Sequence, residues 1–224
     1  MVHILDRVQR TEGHALDGVL PVKQERGSRT RDRLLKAGQR LITKRDFDSM
    51  SVADIAGAAG CSVGAFYQRF RDKEAFFGAL VAHYVNEARA ATLGLYAEQA
   101  NDDVIAELVA ATTARFRKYT GLVRTAIRRR MDHPAIWEPI RLHGHFAADQ
   151  FIAWLEKCNA RGLTREETLS VRFAFQVLLG TLNNAVVNQP GPLELADAEF
   201  QRQLERAFRL VPVSYTHLPS PRDS

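Results

Sequence analysis

The sequence has little cysteine, and it lacks both a long apolar run and a leader of the secretory type. Only two cysteines occur among 224 residues, which is too few for the disulfide framework of a small secreted domain. No stretch of about 18 apolar residues predicts a membrane-spanning helix, and no basic and apolar leader predicts secretion. We therefore expect a cytoplasmic protein with reduced thiols that does not enter a membrane.

The motifs of enzymes and of metal sites are also missing. No Gly-rich phosphate loop, nucleophile elbow or pair of catalytic carboxylates occurs. His143 and His145 stand at i and i+2, which a helix turns to different faces, and no array of cysteines or carboxylates accompanies them. We predict no enzyme activity, no cofactor and no metal. An all-α enzyme that uses an internal pocket is a remote alternative.

Positive charge is in excess, and it is concentrated in one segment. The net charge of the chain is +5. Residues 26–73 hold 11 Lys/Arg against 5 Asp/Glu, a net charge of +6, whereas the rest holds 20 against 21. Such a local excess favours a polyanionic partner, of which nucleic acid is the first candidate.

Apolar residues recur at helical spacing from Arg29 onward, and no alternating run predicts a strand. The sequence therefore predicts an all-α fold. Suitable N-caps for three of the helices are Ser51, Ser62 and Asp72. The predicted helices span 29–45, 52–59, 63–70, a long segment after residue 72, 102–119, 122–131, 134–160 with a break at Gly144 left open, 164–188 and 196–210.

Two short helices joined by a Gly-containing turn lie between Ser51 and Phe77. The second carries small and polar residues on its free face, as does the helix that enters the major groove in a helix-turn-helix protein. A plain three-helix bundle is the alternative, since short capped helices are common. The local positive charge favours DNA binding.

The same segment resembles the DNA-binding signature of the TetR/AcrR family of transcriptional regulators. The resemblance consists of Asp-Ile-Ala-x-x-Ala-Gly from Asp54, Ser-x-Gly-x-Phe-Tyr-x-x-Phe from Ser62, and Asp-Lys-Glu from Asp72. It covers residues 29 to about 90 well, and the remainder only by the count and length of the helices. It implies a homodimer that binds a palindromic operator in double-stranded DNA, usually as a repressor, and that a small-molecule effector releases.

Residue by residue, the resemblance implies two kinds of DNA contact. Tyr67, Lys73 and Ser51 would bind phosphates, which positions the protein, whereas residues on the free face of the second helix would face the bases. The basic residues ahead of the first helix, Arg26, Arg29 and Arg31, would bind the DNA backbone, enter the minor groove or stay solvated. The predicted DNA-binding residues are Arg29, Ser51, Ser62, Val63, Gly64, Ala65, Tyr67, Gln68, Arg69 and Lys73.

The helix over 164–188 is apolar around more of its circumference than one core requires. We therefore predict that it pairs with its symmetry mate, together with the helix near 141–160, in a four-helix bundle. The residues predicted for this dimer interface are Phe151, Leu155, Val171, Phe175, Leu178, Leu182 and Val186.

Aromatic and apolar residues on the inward faces of the helices from 76 to 160 predict a pocket for a small, mainly apolar effector. The predicted lining residues are Tyr84, Ala88, Phe116, Tyr119, Trp137, Ile140 and Phe146. One alternative is that these residues are ordinary core. In that case the protein would be a DNA-binding regulator with no small-molecule ligand.

These predictions divide the chain into four parts. Residues 1–27 form a flexible arm, 28–74 the helix-turn-helix DNA-binding domain, and 75–211 the helical effector-binding and dimerisation domain. Residues 212–224 abandon helical periodicity and resemble translated sequencing-adaptor read-through, an ordinary disordered tail being the alternative. They are left out of the fold prediction.

Overall fold

A computed structural model describes residues 25–97, 103–158 and 161–210. All regular elements in these ranges are helices, which confirms the all-α prediction. The chain divides into two compact units, Met1–Leu80 and Val81–Ser224. Residues 1–24 of the predicted arm and the whole of the predicted tail lie outside the described ranges. No helix described here is long and apolar enough to cross a membrane.

The helices follow the predicted order, with shifted ends. α1 begins inside the predicted arm and ends before residue 45, because the backbone N–H groups of Lys44 and Arg45 both turn back to the carbonyl of Leu41. The elements are α1 (Glu25–Ile42), a 3₁₀ turn (Phe47–Ser49), α2 (Val52–Ala58), α3 (Val63–Tyr67), α4 (Lys73–Leu95), α5 (Val104–Lys118), α6 (Thr120–Arg129), α7 (Pro134–Cys158), α8 (Arg165–Asn188) and α9 (Ala198–Arg209).

Local capping fixes the starts of three helices in the N-terminal unit. The side chains of Ser51, Ser62 and Asp72 each accept the backbone N–H three residues later, at 3.0, 3.1 and 2.7 Å. These bonds satisfy N–H groups that the first turn of a helix leaves unpaired. Gly60 ends α2 with a positive φ of 61°, a conformation that glycine adopts without strain. All three predicted caps are confirmed.

Aromatic rings fill the core of the N-terminal unit. The ring centroid of Phe66 lies 5.4 Å from those of Phe70 and Phe76, and all three side chains are fully buried. α1 approaches this cluster at Gly38, where an added Cβ would lie 2.5 Å from the Phe76 ring. The rings therefore hold α3 with one face turned inward.

The C-terminal unit packs α5 to α9 together with the later turns of α4. The rings of Phe151, Phe175 and Phe208 join α7, α8 and α9, with centroid separations of 5.3 to 5.8 Å. α7 continues through Gly144 without a break. An added Cβ at Gly144 would lie 2.9 Å from Leu179, so this glycine permits the close approach of α7 and α8.

The residues predicted for the dimer interface do not form an exposed surface of the single chain. α8 packs against α5, α6, α7 and α9, and these contacts bury the residues that were expected to meet a second copy. All are at most 5% exposed within the single chain: Phe151, Leu155, Val171, Phe175, Leu178, Leu182 and Val186. The apolar surface that α8 leaves open consists instead of Leu169, Phe173 and Val177, which are 66, 56 and 38% exposed.

Candidate DNA-binding surface and effector site

The recognition helix predicted from the sequence is α3, and it has one buried and one open face. Phe66 anchors the buried face, whereas Val63 and Tyr67 are 42 and 51% exposed. Gly64 and Gln68 are exposed beside them. At Gly64 an added Cβ would approach only the Ser62 hydroxyl, at 3.8 Å. The chain's own packing therefore does not require this glycine.

Ser51 uses its polar groups within the chain, and its predicted phosphate contact stays a prediction. Its backbone N–H and its hydroxyl both donate to Asp54 Oδ2 at 2.8 Å, and the hydroxyl also accepts the backbone N–H of Asp54. These bonds form a capping box. The backbone N–H and then the hydroxyl of Ser51 lower the pKa of Asp54, and Arg45, 3.1 Å away, lowers it further.

Lys73 also has an internal role where a phosphate contact was predicted. Its ammonium group donates to the backbone carbonyls of Phe47, Asp48 and Met50, at 3.1, 3.0 and 2.9 Å. It also lies 4.9 Å from the centroid of the Phe47 ring. An ammonium group has three donors, and all three are used, so Lys73 ties the 3₁₀ turn to the start of α4.

Replacing Lys73 with methionine should therefore lower stability. Met keeps much of the apolar stem but leaves three carbonyls without their donor, and each hydrogen bond from a charged group contributes about 1.5–3 kcal/mol. We expect a loss of about 2–4 kcal/mol in the free energy of unfolding of the N-terminal unit. This loss of stability can be measured by chemical denaturation, with hydrogen exchange of the backbone amides of α1 to α3 as the readout. Undiminished stability with weakened DNA binding would restore the phosphate role.

Part of the positive charge of the N-terminal unit also has a structural use. Arg33 and Arg40 of α1 donate to the carbonyls of Gly60 and Ala58, at 2.8 and 3.1 Å, and so cap the end of α2. Arg69 turns back to the carbonyl of Gln68 at 3.0 Å. Arg29 is exposed on the first turns of α1. These arginines keep their charge, but the side chains of Arg33 and Arg40 are held against the chain by these bonds.

The residues predicted to line an effector pocket are mostly internal. Tyr84, Ala88, Phe116, Tyr119 and Ile140 are buried, and Trp137 and Phe146 are half-buried. The rings of Tyr84 and Tyr119 pack edge to face, with centroids 5.0 Å apart. The Tyr119 hydroxyl donates to the carboxylate of Glu87. These contacts fit a core as well as a lining, so the pocket stays a prediction.

Three basic side chains near these residues were missed by sequence reasoning. The guanidinium carbon of Arg89 lies 4.3 Å from the centroid of the Phe146 ring. Arg115 hydrogen-bonds to the hydroxyl of Tyr84, whose pKa is raised by burial. Burial, and after it the positive charges of Arg115 and Arg89, lower the pKa of His143 from 6.5 to about 3.

Two surface clefts of the C-terminal unit lie elsewhere. One, of about 280 Å³, lies between α8 and α9, and the other, of about 350 Å³, lies beside the turn before α9. Both are bordered by Pro190–Leu193, and neither includes a residue predicted to line the effector pocket. Among the described residues, no group of three His, Cys, Asp or Glu side chains is placed to hold a metal ion.

Residues 34–80 match the family model of bacterial regulatory proteins of the tetR family. This segment is thus similar to the DNA-binding part of that family. An uncharacterized HTH-type transcriptional regulator of Mycobacterium tuberculosis is 46% identical over 50 residues, which are 22% of this chain and 25% of that protein. The chain thus aligns with about a quarter of the length of the curated relatives it matches, and the similarity in sequence is confined to the segment with the two short helices.

This chain is similar in fold to solved structures of TetR-type regulators over most of its length. A TetR-family regulator from Mesorhizobium loti superposes with a TM-score of 0.66 at 21% identity, over 83% of this chain and 96% of the other. GusR of Salmonella enterica superposes with a TM-score of 0.59 at 22% identity, over 80% of this chain and 93% of the other. At these identities the likeness establishes the fold of the C-terminal part and not its ligand.

Proposed function

We propose that this chain is a cytoplasmic repressor that binds a palindromic operator in double-stranded DNA as a homodimer. The observation that carries the proposal is the free face of α3. Val63, Gly64, Tyr67 and Gln68 lie exposed on a helix whose start is capped by Ser62 and whose other face is anchored by buried rings. A rigid, small-residue face of this kind fits the major groove.

The exposed groups on α3 would make two kinds of contact with DNA, some to the bases and some to the phosphates. The Gln68 amide can bond the N6 and N7 edge of adenine, and Val63 can touch a thymine methyl group. The Tyr67 hydroxyl is suited to a phosphate oxygen, because this contact positions the helix without specifying sequence. Gly64 would let the helix backbone approach the base edges closely.

A homodimer would present two such helices to the two halves of a palindrome. For the interface we propose the exposed apolar face of α8, formed by Leu169, Phe173 and Val177. These residues recur at intervals of four along the helix, so they form one stripe. An antiparallel pairing of this stripe with its symmetry mate would cover it and complete a four-helix bundle with α7.

A small molecule bound in the C-terminal unit would release the operator. It must bind the low-affinity state of the dimer better than the operator-bound state, because a ligand equally compatible with both shifts nothing. A coupling of about 1–3 kcal/mol would change operator affinity roughly 5- to 150-fold, and operator DNA would weaken effector binding by the same factor.

Replacing Gly64 with alanine should weaken operator binding without harming the fold. The added methyl group meets nothing closer than 3.8 Å within the chain, but it would stand between the α3 backbone and the bases. We expect at least a tenfold loss of affinity, or about 1.4 kcal/mol, for an operator selected from a random duplex library. Tyr67→Phe should weaken binding by about threefold to tenfold on every sequence, since a phosphate contact carries no base information.

Gly78→Ala is the matched control, because an added Cβ there meets nothing within 4 Å and Gly78 lies on α4, outside the two helices of the helix-turn-helix. It should bind the operator like the wild type, as measured by fluorescence anisotropy at two salt concentrations. Wild-type affinity of Gly64→Ala would mean that α3 does not enter the groove, and the proposal would fail.

A further inference from the structure

A cluster of basic side chains lies within the C-terminal unit. The basic cluster consists of Arg89 on α4, Arg115 on α5 and His143 on α7. Arg89 lies against one side of the half-buried Phe146, and the His143 ring lies 6.2 Å from the same ring. His143 is only 7% exposed. Three helices therefore bring two guanidinium groups and an imidazole together.

The cluster has hydrogen-bonding capacity that the described part of the chain does not use. Arg115 Nε and His143 Nδ1 are both buried, and neither has a hydrogen-bond partner. A buried polar atom without a partner destabilises a fold, and a buried charge without a counter-charge does so more. A ligand or an ordered water that supplies the missing partner is one explanation for such groups.

No described carboxylate neutralises the cluster. The nearest acidic residue along α4, Glu87, is bound by Lys118 and Tyr119 and lies 3.4 Å from His83. On α7, Asp149 pairs with Arg172 at 2.7 Å. Within the described part of the chain, the charges that lower the pKa of His143 are the two positive ones of Arg115 and Arg89. The cluster is therefore an electropositive site in apolar surroundings.

We propose that the basic cluster binds the carboxylate of a small amphiphilic acid, whose apolar part lies against Phe146 and Ile140. A guanidinium fork holds the two oxygens of a carboxylate side by side, and a monoanion costs less to bury among apolar side chains than a phosphate dianion. The acid would be the effector of the repressor, and in that respect the inference rests on the proposed function. The inference thus replaces the predicted class of effector, a small and mainly apolar molecule, with a narrower class, an apolar molecule that carries a carboxylate.

The direct test measures binding to the full chain of alkyl and aryl carboxylates, each paired with the alcohol of the same carbon skeleton, such as decanoate with decanol. Acids should bind at least about tenfold more tightly than their alcohols. Arg115→Met keeps the length of the side chain but removes the charge, and it should abolish the preference. Arg130→Met, which changes an exposed arginine on the same unit, should retain it.

A second measurement does not depend on which acid is tested. If Arg115 serves a ligand, the free protein carries its buried, unpartnered Nε as a liability, so Arg115→Met should raise the midpoint of thermal unfolding by about 2–4 °C. If Arg115 is instead a structural residue, the same change should lower it. A lowered midpoint, or a panel in which no acid binds better than its alcohol, overturns the inference.

The outcomes separate this inference from the proposed function. Acids that bind selectively and leave operator affinity unchanged would support the carboxylate site and contradict effector release. Acids and alcohols that bind equally and both release the operator would support effector release and contradict the carboxylate site.

Discussion

Replacing Leu182 with glutamate should unfold the C-terminal unit, whereas replacing Phe173 with glutamate should leave it folded and separate the dimer. The two residues lie on opposite faces of α8. Leu182 is fully buried among the chain's own helices, and Phe173 is 56% exposed in the single chain. One substitution therefore tests the core, and the other tests the proposed interface.

The effect at Leu182 is large because two costs add. Removing a buried leucine side chain costs about 2–5 kcal/mol, and burying a carboxylate without a partner adds several kcal/mol or forces local unfolding. The sum approaches the whole stability of a domain, about 5–15 kcal/mol. The dimer would be lost as a consequence of unfolding, and circular dichroism would report the loss of helix.

The effect at Phe173 should be confined to association. An exposed substitution usually changes folding stability by less than about 0.5 kcal/mol, but near a two-fold axis it would bring two like charges together in a desolvated seam. We expect the dimer dissociation constant to rise at least about a hundredfold, or roughly 3 kcal/mol. Analytical ultracentrifugation at several concentrations, with circular dichroism on the same samples, measures both properties.

Leu93→Glu is the matched control, because Leu93 has a similar exposure on α4 and is not part of the proposed stripe. It should leave the dimer intact. A Phe173→Glu protein that sediments as a wild-type dimer would place the interface on another surface.

Features set by neighbouring residues were predictable from the sequence. The caps at Ser51, Ser62 and Asp72 each depend on a residue three positions away, and the burial of Phe66 and Phe70 follows from the period of a helix. Helix order and type were therefore correct, and the ends differ by a few residues because helix termini are set by weak, competing bonds.

Contacts between distant residues were not predictable in the same way. Lys73 binds carbonyls 23 to 26 positions earlier, so its place in a DNA-binding motif indicated a phosphate ligand instead. On α8, the wide apolar circumference correctly indicated surplus apolar surface, but periodicity alone cannot say which face the chain's own helices cover. The stripe that contains Leu178 and Leu182 is buried in the core, and the stripe that contains Phe173 is exposed.

The basic cluster had a signal in the sequence that was not used. Arg115 follows Thr112 by three positions, and His143 follows Ile140 by three, so each continues a stripe that the structure buries. An ionisable residue on an apolar stripe is a candidate functional group. The sequence does not show that α4, α5 and α7 lie close enough together to bring these residues to one place.

Acid should destabilise the C-terminal unit through His143, and His143→Leu should remove much of that sensitivity. The imidazole is buried in its neutral form, with its pKa lowered from 6.5 to about 3 by burial and then by Arg115 and Arg89. In the unfolded chain the same group takes up its proton near its ordinary pKa. Protonation therefore favours the unfolded chain.

The direction of this pH effect on stability, and the pH range in which it occurs, follow from the difference in proton binding between the folded and unfolded states. Between about pH 6.5 and 3 the unfolded state binds one proton that the folded state does not, so stability falls as the pH falls through this window. At about 1.4 kcal/mol per pKa unit, the loss attributable to His143 approaches roughly 3 kcal/mol at pH 4 and about 5 kcal/mol below pH 3. Above pH 6.5 the imidazole is neutral in both states, and no dependence is expected from it.

Carboxylates also titrate in this range, so the measurement is a difference between variants. Urea unfolding of the wild type and of His143→Leu from pH 7 to pH 4 should give curves that diverge progressively as the pH falls, the variant losing about 3 kcal/mol less. His145→Leu, which changes the exposed histidine two positions later, should follow the wild type. If His143→Leu loses stability as steeply as the wild type, the imidazole is not held neutral inside the fold, and the two arginines do not face it as a desolvated, electropositive site.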